Sequence, residues 1–268
     1  MALENLTREL LYSYEDGVAT LTFNRPDKMN AFTTTMIEGI SKVADEVRKD
    51  DEVKVLVITG AGRGYCAGAD MSYIVSLASD ESRTKTRSEL TEPLGYVTSV
   101  LYNLNKPVIT AINGAAVGAG LSLALIGDIR IASDHANFGA FWIRMGLVPD
   151  FGASYFLPRI VGLGKALELT LTGELIDARE AERIGLVTRV VPREDLMKVT
   201  IELALKIARG PSIAIELTKR VMCKGINGNL DTQLDLESYA QNFCLKSNDL
   251  EEAITAFKEK RDPHFRGS

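Results

Sequence analysis

Short runs of aliphatic and β-branched residues alternate with segments of helical periodicity along the first half of the chain. Residues 18–23, 53–59, 107–112 and 129–132 have the composition of strands, and residues 121–126 form an apolar stretch typical of a buried helix. A strand-rich run followed by a helix, repeated several times, is typical of an α/β layer architecture. This alternation restricts the chain to folds in which helices cover a sheet.

Helical patterns also fill the segments between and after these strands. Thr35 with Glu38 three residues later forms a capping-box pattern, which predicts that an amphipathic helix begins there. We expect helices above a pocket over residues 70–104, and three helical segments from residue 164 onward, separated by a strand at residues 185–191. Residues 230–245 carry apolar side chains suited to packing on a partner surface. The sequence contains no internal repeat and no low-complexity linker, so it favours one core with a helical C-terminal extension over two independent domains.

Composition and charge exclude several classes of function. The 268 residues are 46% hydrophobic, enough for a sizeable core. A net charge of -5 argues against a nucleic-acid binder, which needs a basic face. No apolar run is long enough to span a bilayer, and three cysteines in separate segments make a poor disulfide framework. We therefore expect a cytoplasmic protein with no membrane partner, no nucleic-acid partner and no metal site.

One acidic residue stands out in an otherwise apolar, small-residue stretch. Asp150 follows Gly-Leu-Val-Pro and precedes Phe-Gly-Ala, shortly after Phe141 and Trp142. A carboxylate among aromatic and aliphatic side chains is costly to bury, and its pKa tends to rise, which makes it a better proton shuttle. The stretch predicts acid/base catalysis, although Asp150 as a simple turn cap is the alternative.

Two glycine-bearing turns, at residues 66–70 and 117–120, invite comparison with nucleotide-binding motifs. Leu123 stands where the third glycine of a dinucleotide fingerprint belongs, and no segment has the lysine-ended phosphate loop. We interpret both as tight strand-to-helix turns whose backbone N–H groups face a ligand, and side by side they would form an oxyanion hole. The alternative is that their glycines serve only close packing or positive φ.

An ordered series of short motifs runs along nearly the whole chain. It comprises Asn-Arg-Pro at 24–26 with Asn-Ala at 30–31, Cys-Ala-Gly-Ala-Asp at 66–70, Lys-Pro at 106–107 through Gly120, Phe-Gly at 138–139, Gly-Leu-Val-Pro at 146–149, Leu-Thr-Gly at 171–173, residues 181–187, and Phe-Lys-Glu-Lys-Arg at 257–261. Together these motifs resemble the crotonase superfamily, the enoyl-CoA hydratase/isomerase family.

The resemblance implies a fold, a ligand and an assembly. The fold is an α/β spiral of ββα units over residues 1–195, followed by a helical region over residues 196–268 that completes the pocket and forms a trimer, often paired into a hexamer. The implied ligand is an acyl-coenzyme A thioester. Because coenzyme A is part of the substrate, no separate cofactor is expected.

The resemblance also assigns roles to individual positions. The amides of Ala69 and Ala119 would hold the thioester oxygen, with Asp150 as the acid/base. The substrate pocket would include Tyr73, Ser122, Phe141 and Trp142. The coenzyme A site would include Lys28, Met29, Ala31, Ala67 and Asp70, with Phe257 and Lys260 reaching the nucleotide phosphates.

Departures from the family pattern narrow the chemistry. Family hydratases place two glutamates around the double bond, and those positions here carry Ser122 and Trp142. Water addition normally needs a base for water and an acid for the α-carbon, so ordinary hydration is disfavoured. The Trp142 and Asp150 pair also resembles aryl-CoA dehalogenases, but the histidine that those enzymes use is missing from the corresponding segment.

Simpler structural roles compete with the functional ones. We expect His135 in a solvent-exposed turn, Cys66 as a small packed residue, and Trp142 as pocket wall. Ser122 could be a helix hydroxyl bonded to its own backbone.

The sequence thus predicts an acyl-CoA isomerase in which Asp150 moves a proton. The alternatives are a hydratase, a hydrolase or a ring-processing enzyme for a bulky or cyclic acyl-CoA, and a non-catalytic acyl-CoA-binding module.

Overall fold

The computed structural model describes residues 6–77 and 87–268. Ten strands lie in this part of the chain: β1 Leu10–Glu15, β2 Val18–Phe23, β3 Val55–Gly60, β4 Gly64–Cys66, β5 Val108–Ile112, β6 Ala115–Val117, β7 Ile129–Ser133, β8 Asn137–Gly139, β9 Leu175–Asp177 and β10 Arg189–Val191. Its α-helices are α1 Thr34–Lys49, α2 Met71–Leu77, α3 Arg87–Tyr102, α4 Ala119–Ile126, α5 Ala153–Val161, α6 Leu163–Thr172, α7 Ala178–Arg183, α8 Leu196–Ala208, α9 Ser212–Gly225, α10 Leu230–Cys244 and α11 Asn248–Glu259.

The strands form two sheets that the chain visits in turn. One sheet has six strands in the order β1-β2-β3-β5-β7-β10, and the other has four strands in the order β4-β6-β8-β9. In three successive turns, a strand of the larger sheet is followed by a short strand of the smaller one: β3 and β4, β5 and β6, β7 and β8. Helical segments follow each pair, so the expected spiral of ββα units is confirmed.

Apolar cores form on both faces of the larger sheet. On one face, α8 packs over strand residues such as Val57, Ile109 and Ile131. The other face belongs to a larger core that includes α1 and the whole of α4, in which every residue is buried. Because α4 is apolar all round, burial on all sides is its stable position. Its N-terminus therefore has a fixed place beside the smaller sheet.

Some predicted boundaries differ from the structure. The helix cap is Thr33, whose hydroxyl accepts a hydrogen bond from the Met36 N–H, and not Thr35. The strand expected at residues 185–191 covers only Arg189–Val191, because Gly185, at φ +76°, belongs to the turn that ends α7. Of the helices expected over residues 70–104, α2 and α3 are present, and residues 78–86 lie outside the described part.

Six α-helices, α6 to α11, lie between Leu163 and Glu259, where three helical segments were expected. The last four, α8 to α11, follow β10 without another strand. On α10, the apolar side chains of Leu230, Leu234, Tyr239 and Phe243 are exposed. Among the described residues, no helix has both the length and the apolar character needed to cross a membrane.

Candidate active site

Two turns of the same design lie side by side at the end of the smaller sheet. Strands β4 and β6 run parallel, so their C-terminal ends meet at one edge. A glycine with positive φ follows each strand, Gly68 at +89° and Gly118 at +53°, and an alanine comes next. A Cβ added to Gly68 would lie 3.6 Å from the Ala119 nitrogen. The glycines thus provide both the backbone conformation and the close approach of the two turns.

The amide groups of Ala69 and Ala119 are available as donors. The Phe32 N–H donates to the Gly68 carbonyl and the Asp70 N–H donates to the Phe32 carbonyl, so the intervening Ala69 N–H points away from this ladder. Ala119 begins α4, where an N–H has no acceptor within the helix. Within the described part of the chain, neither N–H has a hydrogen-bond acceptor. The pair can therefore donate to one ligand oxygen.

Gly120 shows why the second turn cannot accept a larger residue. A Cβ at this position would lie 2.1 Å from the Cys66 carbonyl oxygen. Close packing therefore explains why residue 120 is a glycine. The missing side chain also allows the start of α4 to lie against β4.

Asp150 is the acidic side chain of this region. Its Oδ1 accepts a 2.8 Å hydrogen bond from the Trp142 indole N–H, and the buried Ser122 hydroxyl lies 3.4 Å from the same oxygen. Burial raises the pKa of Asp150 above its usual range, and the two donors oppose that rise in part. Such a carboxyl group is suited to exchange a proton with a bound ligand.

The structure contradicts the simple role proposed for Ser122, and it shows that the Asp150 carboxylate does not cap the helix that follows it. The Ser122 hydroxyl donates to the Asp150 backbone carbonyl at 3.0 Å, which means that it is not bonded to its own helix. Helix α5 is capped by Gly152 without any side-chain hydrogen bond, so the Asp150 carboxylate does not cap it. Ser122 and Trp142 instead fix the position of Asp150 from two different elements.

A cavity of about 660 Å³ touches Asp150. Its walls come from α3 and from residues 148–156 and carry the aromatic side chains of Tyr102, Phe151, Tyr155 and Phe156. This volume falls within the range of roughly 300–1,000 Å³ that is usual for small-molecule sites. The carboxyl group of Asp150 therefore has space for a ligand next to it.

Two further predicted pocket residues lie in different surroundings. Tyr73 is close enough to Asp150 that the charge of that residue helps to raise the tyrosine pKa, after burial as the main cause. The Phe141 ring packs towards Gly139, and the Arg144 guanidinium lies 3.9 Å above it. Contact of either side chain with substrate stays a prediction.

The residues expected at the adenine end of coenzyme A come together in one loop cluster. The Ala67 N–H donates to the Met29 carbonyl at 2.9 Å, and Lys28 is exposed beside them. Met29 and the buried Asn30 both have positive φ, at 50° and 56°. The Asn30 amide group donates to the carbonyls of Ala61 and Gly64 and so ties this loop to the one before β4.

Asp70 is occupied by neighbours within the chain. Hydrogen bonds from Ser72 and from the Arg25 guanidinium lower the pKa of Asp70 to about 2, so it is ionised at neutral pH. Arg25 also donates to the Ala31 carbonyl and forms an ion pair with Glu9 at 3.1 Å. The arrangement gives Asp70 and Ala31 a shared role in holding the loop, and direct contact with coenzyme A stays a prediction.

Arg25 and Asn30 hold this loop cluster together, although no role was predicted for either residue. The residue type of Asn30 did indicate such a role, because asparagine is enriched at positive φ where a loop turns sharply. Arg25 gave no such signal, since its partners Glu9 and Asp70 are distant in sequence.

Phe257 and Lys260 lie at the end of α11, where Lys260 is the C-cap residue. Phe257 is 84% exposed, and the Lys260 side chain is exposed as well. Contact of either side chain with coenzyme A stays a prediction.

Cys66 and His135 lie in the surroundings expected from the sequence. Cys66 is buried, and burial raises the pKa of its thiol to about 12, as expected for a packed residue. His135 is exposed, as predicted. Cys66, Cys223 and Cys244 are all unpaired. Among the described residues, no cluster of histidine, cysteine and acidic side chains could hold a metal ion.

Comparison with known proteins identifies relatives along almost the full chain. A family model described as enoyl-CoA hydratase/isomerase matches residues 13–268. The 1,2-epoxyphenylacetyl-CoA isomerase of Escherichia coli K12 is 37% identical over 266 residues, covering 96% of this chain and 98% of the relative. The short-chain-enoyl-CoA hydratase of Clostridium acetobutylicum is 38% identical over 252 residues, covering 92% and 93%. The crystal structure of a putative enoyl-CoA hydratase from Streptomyces coelicolor A3(2) superimposes with a TM-score of 0.91 at 34% identity, covering 97% of this chain and 95% of that one.

Proposed function

The chain belongs to the enoyl-CoA hydratase/isomerase family, and from that premise we propose that it is an acyl-CoA isomerase with Asp150 as its single acid/base. The thioester oxygen accepts hydrogen bonds from the Ala69 and Ala119 N–H groups. Asp150 removes a proton from one carbon of the acyl group and returns it to another, so that the double bond changes position and no atoms are gained or lost.

The oxyanion pair and the carboxylate have separate tasks in this mechanism. Loss of a proton next to the thioester gives an enolate whose negative charge is concentrated on the oxygen. Two fixed N–H donors stabilise that charge more strongly than they stabilise the neutral thioester, which lowers the barrier. Asp150 then holds the proton until it is transferred to the second carbon. The raised pKa of Asp150 favours this temporary protonation.

The observation that carries the proposal is the pairing of Asp150 with Ser122 and Trp142. These two side chains occupy the positions where a hydratase of this family would have glutamates, and both bond to Asp150. A neutral indole and a neutral hydroxyl cannot act as a second acid/base at neutral pH. Moving one proton between two carbons needs one carboxylate, whereas water addition normally needs two such groups.

A ring-bearing acyl-CoA is the second candidate substrate, and two observations favour it. The cavity beside Asp150 has several aromatic walls. The relative from Escherichia coli K12 is named a 1,2-epoxyphenylacetyl-CoA isomerase, which indicates that this relative isomerises a ring-bearing thioester. Both candidates use the same oxyanion pair and carboxylate.

The decisive experiment offers the protein a panel of unsaturated aliphatic and ring-bearing acyl-CoAs in D₂O. Isomerisation predicts a product that differs from the substrate in retention time but not in elemental composition, apart from hydrogen at carbon replaced by deuterium where the proton on Asp150 exchanges with solvent before its return. A product heavier by one water would instead identify a hydratase, and free coenzyme A would identify a hydrolase. Tight binding without any product would identify a non-catalytic binding module.

A further inference from the structure

Three aromatic rings that pack against one another form part of the wall of the Asp150 cavity. Tyr102 and Tyr155 meet edge to face with centroids 5.9 Å apart, and Phe156 lies 5.4 Å from the first ring and 5.3 Å from the second. All three residues line the cavity that touches Asp150. We call this group of three residues the ring partition.

A second cavity lies directly behind the ring partition. It has a volume of about 590 Å³ and shares the walls formed by Tyr102, Tyr155 and Phe156. Its remaining lining is mainly aliphatic and comes from the end of α4 and from α5, α8 and α9, with residues such as Leu125, Ile160, Ile207, Ile215 and Met222. Two cavities of similar size therefore share the ring partition as a common wall.

Polar contacts hold the central ring of the partition in place. The Tyr155 hydroxyl accepts a 2.6 Å hydrogen bond from the Asn227 side-chain amide, and the Arg159 guanidinium lies 3.6 Å above its ring. The same guanidinium donates to the Asn227 side-chain oxygen at 3.0 Å. These contacts fix Tyr155 against rotation into either cavity. The contact between the Tyr102 and Tyr155 hydroxyl groups is longer, at 3.4 Å.

We propose that Tyr155 is a specificity-determining residue whose ring forms the end wall of the acyl site, so that the protein selects compact acyl groups and excludes long aliphatic chains. This inference rests on the proposed function only in placing an acyl-CoA in the Asp150 cavity. A short or ring-bearing acyl group ends before the partition. A long chain would have to displace a ring that a hydrogen bond and a stacked guanidinium hold.

Removal of the ring should join the two cavities into one continuous apolar channel. The distal methylenes of a long acyl chain would then be buried among the aliphatic side chains of the second cavity. Two additional buried methylenes are worth on the order of tenfold in affinity. The preference of the protein should therefore move towards longer chains by a measurable factor.

Calorimetry with saturated acyl-CoAs tests this without requiring turnover. We would titrate butyryl-, hexanoyl-, octanoyl- and dodecanoyl-CoA into the full chain and into Tyr155→Ala. The wild-type affinity should pass through a maximum and fall for dodecanoyl-CoA, whereas Tyr155→Ala should bind dodecanoyl-CoA at least about tenfold more tightly than the wild type. A wild-type affinity that rises steadily to dodecanoyl-CoA would overturn the proposal.

Matched variants separate the ring from other effects. Tyr155→Phe keeps the ring and loses only the hydroxyl, so it should keep the wild-type order of preference. Tyr14→Ala removes an exposed tyrosine from β1 and should change nothing. Adding Ile215→Trp to Tyr155→Ala refills the second cavity and should cancel the gain for dodecanoyl-CoA. If Tyr155→Ala does not fold, as judged by circular dichroism, Tyr155→Leu takes its place.

The outcomes distinguish this inference from the proposed function. A changed length preference in a protein that isomerises no acyl-CoA would support the end wall and refute the isomerase. An isomerase whose Tyr155→Ala variant keeps the wild-type preference would refute the end wall alone. Failure of every acyl-CoA to bind would refute both.

Discussion

The indole N–H of Trp142 donates to Oδ1 of Asp150 across 2.8 Å, and the Ser122 hydroxyl approaches the same oxygen. Both donors therefore converge on one side of the carboxylate, and Oδ2 takes no part in these two bonds. A carboxylate fixed in this way has a defined orientation, which is a requirement for moving a proton between two particular carbons.

Replacement of Asp150 by asparagine tests its role as the proton shuttle. The amide keeps the shape of the carboxyl group but cannot take up the proton. We expect Asp150→Asn to lower kcat by about 10²–10⁴-fold while the affinity for acyl-CoA changes little. Steady-state kinetics and calorimetry measure the two quantities. Asp16→Asn, the same change in an exposed turn, is the control, and turnover near the wild-type level in Asp150→Asn would eliminate the mechanism.

The same variant should affect stability in a pH-dependent way. Because burial raises the folded-state pKa of Asp150, its protonated form is favoured in the folded protein, and its contribution to stability is lost as pH rises through that pKa. Asparagine stays neutral over this pH range, so Asp150→Asn does not lose stability in this way. Its melting temperature should exceed that of the wild type at neutral pH, and the difference should shrink at acidic pH. Thermal melts across this range would contradict the assignment if the gain grew as pH fell.

Trp142 should control the pKa of Asp150 as well as its orientation. The indole N–H lowers the pKa of the carboxyl group against the effect of burial. Trp142→Phe removes that donor, so the pKa should rise and the acidic limb of the kcat profile should move to higher pH. We expect kcat to fall roughly tenfold or more, since hydrogen bonds to charged groups are among the stronger ones. Ser122→Ala should shift the limb in the same direction.

A purely structural role for Trp142 would lower activity without moving the acidic limb. The shape of the pH profile therefore distinguishes the two roles, and circular dichroism checks that the smaller ring leaves the fold intact.

The fold was predictable because its strands are continuous apolar runs. Residues 18–23 were predicted as a strand with the boundaries that the structure has, since this run is flanked by clear turn residues. The short strands β4, β6 and β8 were not predicted as strands, because three residues give no periodicity. Their positions follow from pairing with one another, which depends on the tertiary fold.

The candidate site was likewise predictable only in part from the sequence. Asp150 was apparent from one acidic residue in an apolar stretch, and the two glycine turns were apparent from their composition. The hydrogen bonds of Ser122 and Trp142 to Asp150 could not be predicted. Ser122 lies 28 positions from Asp150 in sequence, and a bond from its hydroxyl to its own helix was an equally reasonable expectation. Tyr102 and Tyr155 gave no signal at all, since their contact also spans distant segments.

Ala119 offers a test of the oxyanion pair. It is the first residue of α4, where proline is tolerated because the N–H has no acceptor in the helix. Ala119→Pro deletes that donor and should lower kcat by roughly 10²–10³-fold. Leu163→Pro is the matched control, because Leu163 also begins a helix after a glycine of positive φ. Unchanged activity in an Ala119→Pro protein with native circular dichroism would exclude Ala119 as a donor.

The exposed apolar face of α10 predicts self-association. The rings of Tyr239 and Phe243 contact each other in a tilted arrangement, with centroids 5.3 Å apart, and both residues are exposed. Leu234 lies exposed on the same helix. Large exposed apolar patches are uncommon on monomers, so a second copy is expected to cover this one, and a closed trimer or a pair of trimers would do so. Light scattering should give the mass of three or six chains. Truncation after Gly228 should give smaller, poorly soluble and inactive species.

A charge placed on this face provides the sharper version of the test. Phe243→Asp should break the assembly because a carboxylate would be buried without a partner, whereas Gln241→Asp adds the same charge at an exposed position of the same helix and should leave the assembly intact. Assembly would also bring the exposed Phe257 and Lys260 within reach of a neighbouring coenzyme A site, so the dissociated Phe243→Asp protein should bind acyl-CoA more weakly. A monomeric wild-type protein with full acyl-CoA turnover would contradict both the assembly and the shared site.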